Sequence, residues 1–284
     1  MKLINPGPSR AGWHRLQNVM QCPRKYALAT EEKKTSRATM IPAPPLIKGS
    51  LLHMGLAHHY ARRGETQNGI TESEYYTPVE AINMLVDLQP KAHKDAWAEW
   101  VPLITEVLLA YTMHWSNEHW LVVDNEKELL ATIPDKERDE RYLYSQRVDS
   151  IWQDPRTQKV WFVDHKTSFR ITSGTAKRYE LSGQFIGYTM LGRALFKQRF
   201  GGVLVNFIGW PQKNGLPKFE RVVLGAAPHA LEHMQKTLVY AERVIHDHKD
   251  IPALEWPGAH HENACVTQYG PCKFFDVCKW GGMK

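Results

Sequence analysis

Residues 159–168, KVWFVDHKTS, constrain the fold of this chain more than any other segment, because they combine a buried strand with a charged end. Four of the first five residues are apolar or aromatic, which is typical of a strand inside a core. The run then stops at Asp164, His165 and Lys166. Burying an acid and a base is unfavourable unless their charges are paired or bind a ligand. This end of the predicted strand is therefore a candidate functional site.

The preceding segment, YLYSQRVDSIW, also has the composition of a strand, and it supplies a second acid. The turn QDPRTQ joins the two strands. If the hairpin closes from Trp152 to Lys159, Asp149 lies opposite Phe162 and Asp164 is its diagonal neighbour on the same face. Diagonal neighbours lie about 7–8 Å apart, which is close enough for two carboxylates to converge on one cation.

The charges on this face indicate a divalent cation. Two acids on a mostly apolar surface cannot both stay ionised unless a cation lies between them; otherwise one takes up a proton. Lys166 shares the face and supplies a single positive charge. Carboxylate ligands suit Mg²⁺ or Mn²⁺ rather than Zn²⁺. The alternative is a surface hairpin whose acidic and basic residues form exposed ion pairs of little energetic value.

Four cysteines form a second candidate site. Cys265, Cys272 and Cys278 fall close together near the end of the sequence, whereas Cys22 lies near its start. Four thiols match the requirement of a tetrahedral zinc ion or of an iron–sulfur cluster. The alternative is a set of unrelated buried cysteines.

The composition favours a partner that carries negative charge. The 284 residues include 36 Lys and Arg against 30 Asp and Glu, a net charge of +6. No apolar run reaches about 18 residues, so the sequence predicts no membrane span. The N-terminus lacks the apolar core of a secretion signal, and we therefore expect a cytoplasmic protein. The phosphate-binding pattern G-x4-GK[ST] does not occur, so any nucleotide-driven motor would be a separate protein.

The order of the predicted elements gives an α/β fold. Helical patterns dominate residues 11–118, strands and one long helix occupy 119–225, and a closing helix with the cysteine tail covers 226–284. No repeat or change in composition separates these parts. We therefore predict a single domain over residues 1–284, with a mixed central β-sheet flanked by helices.

Several short motifs, in this order, resemble one branch of a nuclease superfamily. They are CPRKYAL (22–28), GSLLH (49–53), RVDSIW (147–152), VDHKTS (163–168), QFIGY (184–188) and the final cysteine triplet. The chain resembles the RecB-like branch of the PD-(D/E)xK nucleases, and within it the subset that carries a [4Fe–4S] cluster. That subset includes CRISPR-adaptation exonucleases, the AddB nuclease domain and many phage-encoded relatives. The chain departs from the pattern in lacking the proline before the first acid and in its longer first cysteine gap.

The resemblance implies a restriction-endonuclease-like core and a role for each matched residue. The expected ligands of the divalent cation are His53, Asp149, Asp164 and the backbone carbonyl of His165. Lys166 matches the lysine that positions and polarises the attacking water, and it forms the catalytic set with the two aspartates. Gln184 and Tyr188 match the pair that helps to hold the site and the DNA strand. From the residues alone, His53 would be interpreted as a capped or core histidine, since the chain has 14 histidines and two more lie nearby on the same helix.

For the four cysteines, Cys22, Cys265, Cys272 and Cys278, the resemblance implies a [4Fe–4S] cluster that joins the N- and C-terminal segments, with Zn²⁺ as the alternative. For the whole chain it implies a Mg²⁺- or Mn²⁺-dependent DNA exonuclease, with single-strand endonuclease activity as a further option. The expected substrate is DNA that is single-stranded or has free ends.

The expected setting follows from the same resemblance. It implies a role in end processing, recombination or CRISPR adaptation, beside a separate helicase, recombinase or integrase. The expected location is the cytoplasm of a bacterium or of a phage-infected host. The alternative function is a non-catalytic nucleic-acid-binding scaffold that keeps the fold and the cluster.

Overall fold

A mixed sheet flanked by helices forms the centre of the fold. The computed structural model describes residues 1–4, 6–35, 41–172, 174–213, 215–267 and 270–281. The helices are α1 (Trp13–Gln21), α2 (Pro23–Thr35), α3 (Pro44–Gln67), α4 (Pro78–Asp87), α5 (Lys94–Ala98), α6 (Val101–His114), α7 (Lys177–Glu180), α8 (Gly183–Phe196), α9 (Pro228–His248), α10 (Glu262–Cys265) and α11 (Phe275–Trp280). The strands are β1 (Leu121–Asp135), β2 (Glu140–Gln153), β3 (Val160–Ser168), β4 (Phe200–Gly209), β5 (Lys218–Leu224), β6 (Val266–Thr267) and β7 (Gly270–Pro271). Among these helices, none is both long enough and apolar enough to cross a membrane.

The strand with the charged end, β3, occupies the centre of the sheet, whose order is β1-β2-β3-β4-β5. It pairs antiparallel with β2 and parallel with β4, and β4 pairs antiparallel with β5. A parallel pair needs a crossover connection, which α7 and α8 provide between β3 and β4. The predicted α/β fold with a mixed central sheet is therefore confirmed.

The pairing of β2 with β3 differs from the predicted register. Ser150 pairs with Val163, so the same register brings Asp149 beside Asp164. The prediction that Asp149 lies opposite Phe162 is wrong. A shift of two positions keeps every side chain on its own face, because the side-chain period of a strand is two. The two acids therefore share a face, as predicted, and lie closer together than diagonal neighbours.

The cause of this shift is the turn. The carboxylate of Asp154 accepts hydrogen bonds from the backbone amide of Arg156 at 2.9 Å and from the hydroxyl of Thr157 at 2.8 Å. An aspartate that caps its own turn in this way favours a turn over a strand at that position. The turn therefore begins one residue later than predicted, and Gln153 stays in β2 and pairs with Val160.

One face of the sheet packs against α3. Leu56 and Tyr60 of this helix are fully buried, in a core that also contains Trp152 of β2 and Val163 of β3. Burying a large apolar side chain contributes about 1.5–3 kcal/mol. This packing fixes α3 against the sheet and so positions His53, which lies on the same helix.

The other face packs against α8. The ring of Tyr188 meets the ring of Phe162 edge-on, with centroids 6.3 Å apart. Gly192 allows the helix to approach closely, because a Cβ atom there would overlap the ring of Phe200. α8 therefore lies directly over the face of β3 that carries Asp164.

The chain divides into two compact units. The first consists of Met1–Ser9, Ile41–Leu129 and Gln146–Leu231, and the second contains the described residues of 10–35, 130–145 and 232–281. In the second unit, Arg243 forms an ion pair with Asp135. The single-domain organisation stays a prediction.

Candidate active site

Two donors from α8 hold the carboxylate of Asp164, which is 1% exposed. The amide of Gln184 donates to Oδ1 of Asp164 at 2.8 Å and to the hydroxyl of Tyr188 at 3.0 Å. The Tyr188 hydroxyl donates to the backbone carbonyl of Arg147 at 2.6 Å and lies 3.2 Å from Oδ1 of Asp164. Both side chains come from adjacent turns of α8, as four-residue spacing on a helix requires. Gln184 and Tyr188 therefore position the carboxylate of Asp164.

The second acid, Asp149, is held from the neighbouring strand. Its Oδ2 accepts a hydrogen bond from the backbone amide of His165 at 2.7 Å and lies 3.4 Å from Nδ1 of His53. Burial, together with the charge of Asp164, raises the pKa of Asp149 to about 6. The structure therefore brings His53 close to Asp149, whose neighbour on β3 is Asp164, and both aspartates lie within their strands rather than at the ends.

Lys166 completes the charged face of β3. Its Nζ lies 2.7 Å from Oδ2 of Asp164 and 5.4 Å from the centre of the Phe185 ring. Burial opposes the charged form of the lysine, but the carboxylates of Asp164 and Asp149 outweigh it and raise the pKa of Lys166. The lysine is therefore a cation at neutral pH and lies against one of the two acids.

A third acid, Glu126, lies in the same place and was missed from the sequence. It is 8% exposed and has a backbone φ of +50° within β1, a conformation that costs a non-glycine residue about 1–3 kcal/mol. Burial and the charge of Asp149 raise the pKa of Glu126 to about 9. Alternation along β1 gives no signal for it, because Glu126 lies among other polar and charged residues in the run DNEKE.

The donor set fits a divalent cation. One ligand atom from each of His53, Glu126 and Asp149 lies within 4.8 Å of the other two. Ligands on opposite sides of a Mg²⁺ ion lie about 4.2 Å apart, since each bond is about 2.1 Å. This group does not include Asp164, whose nearest charged neighbour is Lys166. Oxygen-rich ligation of this kind suits Mg²⁺ or Mn²⁺.

The side chain of His165 points away from the acids into the layer beneath α3. Its Nδ1 lies 2.8 Å from the amide nitrogen of Asn206, which donates to it, and its ring stacks on Tyr60 at 5.5 Å. Burial lowers the pKa of His165 well below its usual value, so the ring is neutral. The ligand role predicted for the backbone carbonyl of His165 stays a prediction.

A buried ion network lies behind this histidine. Arg221 of β5 lies 2.6 Å from Glu118, which also lies 3.2 Å from Arg63 of α3. The guanidinium stacks on Trp115 at 3.7 Å and donates to the hydroxyl of Tyr60 at 3.2 Å. On the α3 side of β3, hydrogen bonds therefore connect Arg221 through Asn206 to His165. We call these residues the polar layer behind β3.

The four predicted cysteine ligands line one cavity of the second unit, with a volume of about 190 Å³. None is in a disulfide. The short hairpin of β6 and β7 allows the backbone amide of Cys272 to donate to the carbonyl of Cys265 at 2.7 Å. Burial raises the pKa of the Cys278 thiol, and the neighbouring Cys22 and Cys272 raise it further, whereas Arg24 lowers it. Thiols from the N-terminal and C-terminal parts of the sequence therefore line the same cavity.

Two carboxylates and a lysine on the central strands of a mixed sheet are an arrangement suited to the cation-dependent hydrolysis of phosphate esters. The family model of the PD-(D/E)XK nuclease superfamily matches residues 13–279. The chain therefore belongs to the PD-(D/E)XK nuclease superfamily. Membership implies a hydrolytic nuclease that acts on nucleic acid and uses a divalent metal.

Solved structures add a weaker likeness. The chain is 12% identical to the one described as "Crystal structure of SSO0001", over 80% of this chain and 84% of that chain, with a TM-score of 0.32. A likeness of this size adds nothing to the family assignment. Among curated proteins, no sequence matches this one.

Proposed function

We propose that the protein is a Mg²⁺- or Mn²⁺-dependent exonuclease that degrades DNA from free ends. One observation carries the proposal: the half-buried Asp149 and the buried Asp164 lie on adjacent strands, and Lys166 lies 2.7 Å from Asp164 on the same face. These residues are the proposed catalytic set, and His53, Asp149, Asp164 and the carbonyl of His165 are the proposed metal ligands.

The residues of the site would divide the chemistry between them. A bound divalent cation supplies Lewis acidity and compensates the negative charge of the scissile phosphate. Lys166, kept protonated by its two acidic neighbours, offers a fixed positive charge beside the attacking oxygen. Gln184 and Tyr188 contact Oδ1 of Asp164, so Oδ2, which lies beside Lys166, would be the oxygen that binds the cation. The backbone amide of His165 fixes Asp149 in the same way.

The test of this proposal is a set of DNA substrates labelled at either end. We expect linear single-stranded DNA to be degraded in Mg²⁺ or Mn²⁺, and circular single-stranded DNA to survive if ends are required. Asp164→Asn should abolish the activity, whereas Asp95→Asn, at an exposed position of α5, should leave it unchanged. Equal degradation by wild type and Asp164→Asn would contradict the assignment and would favour a non-catalytic scaffold.

We further propose that Cys22, Cys265, Cys272 and Cys278 hold a [4Fe–4S] cluster. Tetrahedral Zn²⁺ with bonds of about 2.3 Å requires sulfur–sulfur distances of about 3.8 Å. In the described part of the chain, no three of the cysteine sulfurs lie within 4.8 Å of one another, although all four line one cavity. A larger group suits this spacing better than a single ion does.

Colour and composition test the cluster directly. Protein purified without oxygen should be brown and contain about four iron and four sulfide per chain, and Cys272→Ser should lose both. A colourless preparation with one zinc per chain would refute the cluster and establish the alternative metal.

The setting proposed for this activity is DNA end processing, recombination or CRISPR adaptation in a bacterium or a phage-infected host. Four cysteines without a disulfide suit a reducing compartment such as the cytoplasm. A separate helicase, recombinase or integrase would supply the ends. Association of the purified protein with such a partner in a pull-down with DNA present, and its loss after nuclease digestion of that DNA, would show whether the two proteins meet only on the substrate.

A further inference from the structure

The connection from β3 to α8, described over residues 169–172 and 174–182, carries an exposed aromatic ring that the proposed catalytic set leaves unused. Phe169 is 69% exposed and directly follows the last residue of β3. Its side chain has no polar atom, so it gains nothing from contact with water. A single exposed phenylalanine is common on protein surfaces, and the residues around it therefore decide what it can bind.

The backbone at Phe169 is held by hydrogen bonds. The amide of Gln212 donates to the carbonyl of Phe169 at 2.8 Å, and the backbone amide of Trp210 donates to the carbonyl of Ser168 at 3.0 Å. The hydroxyl of Ser168 in turn donates to the carbonyl of Arg170 at 2.7 Å. Because these bonds fix the backbone on both sides of the ring, little conformational entropy is left to lose when the ring binds a ligand.

Both ends of this connection lie close to Lys166. Phe169 follows Lys166 by three positions, which is about 10 Å at the rise of an extended chain. At the other end, the ring of Tyr179 in α7 packs edge-on against Phe185 with centroids 5.4 Å apart, and Nζ of Lys166 lies 5.4 Å from the centre of the same Phe185 ring. A nucleic-acid strand rises about 3.4 Å per stacked nucleotide, so Phe169 is within about three nucleotides of a phosphate bound at Lys166.

The charges of the connection favour a polyanion. Arg170, Lys177 and Arg178 are exposed, and the guanidinium of Arg170 lies 5.8 Å from the centre of the Phe169 ring. Among the described residues, no carboxylate forms an ion pair with any of these three cations. Unpaired Lys and Arg side chains bind phosphates, and an aromatic ring among them stacks on bases. An apolar protein partner would leave the three charges without a counterpart.

We infer that Phe169 stacks on an unpaired base of the substrate and thereby selects single-stranded DNA. Arg170, Lys177 and Arg178 contact phosphates of the same strand. Inside a duplex each base already stacks on its neighbours, so Phe169 finds no free base face there unless the helix is unstacked. The inference rests on the proposed nuclease function for the statement that the bound strand is also the one cleaved.

The test is binding of the whole protein to a fluorescein-labelled oligodeoxynucleotide, measured by anisotropy without divalent cations so that the strand is not cleaved. Phe169→Ala should weaken binding of the single strand by about 5–150-fold, which corresponds to the loss of one stacked base. Phe169→Leu keeps an apolar side chain and should be as weak, whereas Phe169→Trp should restore wild-type affinity. Tyr240→Ala, at an aromatic residue of α9 that is 63% exposed, is the matched control and should bind as wild type does.

Salt dependence separates stacking from charge. Phe169→Ala should leave the slope of log affinity against log salt concentration unchanged, whereas Arg170→Gln and Lys177→Gln should each reduce it by about 0.7. A blunt duplex of the same length should bind more weakly than the single strand and should be unaffected by Phe169→Ala. The melting temperatures of these variants should match that of wild type, since the changed side chains are exposed.

Three results would overturn the inference: wild-type affinity in Phe169→Ala, wild-type affinity in Phe169→Leu, and an equal loss of affinity for the blunt duplex. Binding to vesicles that contain phosphatidylserine, dependent on Phe169 and without binding to the oligodeoxynucleotide, would assign the surface to a membrane and would also overturn it.

Cleavage by the same preparations in Mn²⁺ is scored separately. Stacking during the reaction predicts that Phe169→Ala raises KM for single-stranded DNA with little change in kcat. Binding that depends on Phe169, in a protein that cleaves no nucleic acid, would refute the proposed nuclease function and keep the binding role of Phe169. Cleavage of single strands without any dependence on Phe169 would do the opposite.

Discussion

Replacement of Arg221 by methionine tests whether the polar layer behind β3 supports the fold. The arginine is 8% exposed in its side chain and lies 2.6 Å from Glu118, which is 2% exposed. Methionine fills a similar volume without charge, so the change removes the ion pair more than the packing. The decrease in the free energy of unfolding of Arg221→Met therefore reports mainly the electrostatic contribution of this network.

The magnitude follows from what remains in place. Removing one partner of a buried ion pair costs about 3–5 kcal/mol when the other is left alone. Glu118 keeps Arg63 at 3.2 Å, and the hydroxyl of Tyr60 keeps that of Tyr111 at 2.6 Å. We therefore expect the lower end, about 3 kcal/mol. For a protein of this size class, about 2–4 °C per kcal/mol gives a fall in melting temperature of about 6–12 °C.

Urea unfolding followed by tryptophan fluorescence is the appropriate assay, because Trp115 and Trp152 lie against the guanidinium. Arg193→Met, an exposed position on α8, is the matched control and should change the free energy of unfolding by less than about 0.5 kcal/mol. Glu118→Gln combined with Arg221→Met should cost about 1–2 kcal/mol less than the sum of the single changes. A cost below about 1 kcal/mol for Arg221→Met, or strict additivity of the pair, would refute the reasoning.

Three further changes test other parts of the structure. Tyr188→Phe removes the donor to the carbonyl of Arg147 and should cost about 1–3 kcal/mol and lower kcat with little change in affinity for nucleic acid; a large loss of affinity would instead indicate a substrate contact. Gly192→Ala should cost about 1–3 kcal/mol in urea unfolding, since the methyl group overlaps Phe200. Arg243 lowers the pKa of Asp135 to about 2, so the stability advantage of wild type over Asp135→Asn should be complete above about pH 4 and disappear towards pH 2; a constant difference in melting temperature over that range would contradict this.

Much of the fold could be predicted because its pattern is local. An apolar run that ends in charge identifies β3, and helical spacing identifies α3 and α8. The face shared by Asp149 and Asp164 was predicted correctly although the register was wrong, because a two-residue shift preserves alternation. The turn at Asp154 decided the register, and its hydrogen bonds depend on which of several competing turn conformations the chain adopts.

The candidate site was less predictable where it depends on contacts distant in sequence. Next to Glu126, the side chain of Asn125 donates to the carbonyl of Ala57, and Arg147 donates to the carbonyl of Glu126 itself; no local pattern encodes these contacts. The network of Glu118 and Arg221 likewise joins a loop to β5, across a separation that periodicity does not address. Such residues can be recognised as part of the site only when the pairing of the strands in the folded structure is known.

The crossover through α8 has a consequence for the newly made chain. β2 and β3 are hairpin partners, so the two aspartates can meet while the ribosome is still translating the next segment. The donors on α8 that hold Asp164 emerge later, and the parallel partner β4 later still. A polypeptide released prematurely after β3 would carry both acids without their support. A chain that ends after β3 would therefore lack the α8 contacts to Asp164 and with them a complete candidate site.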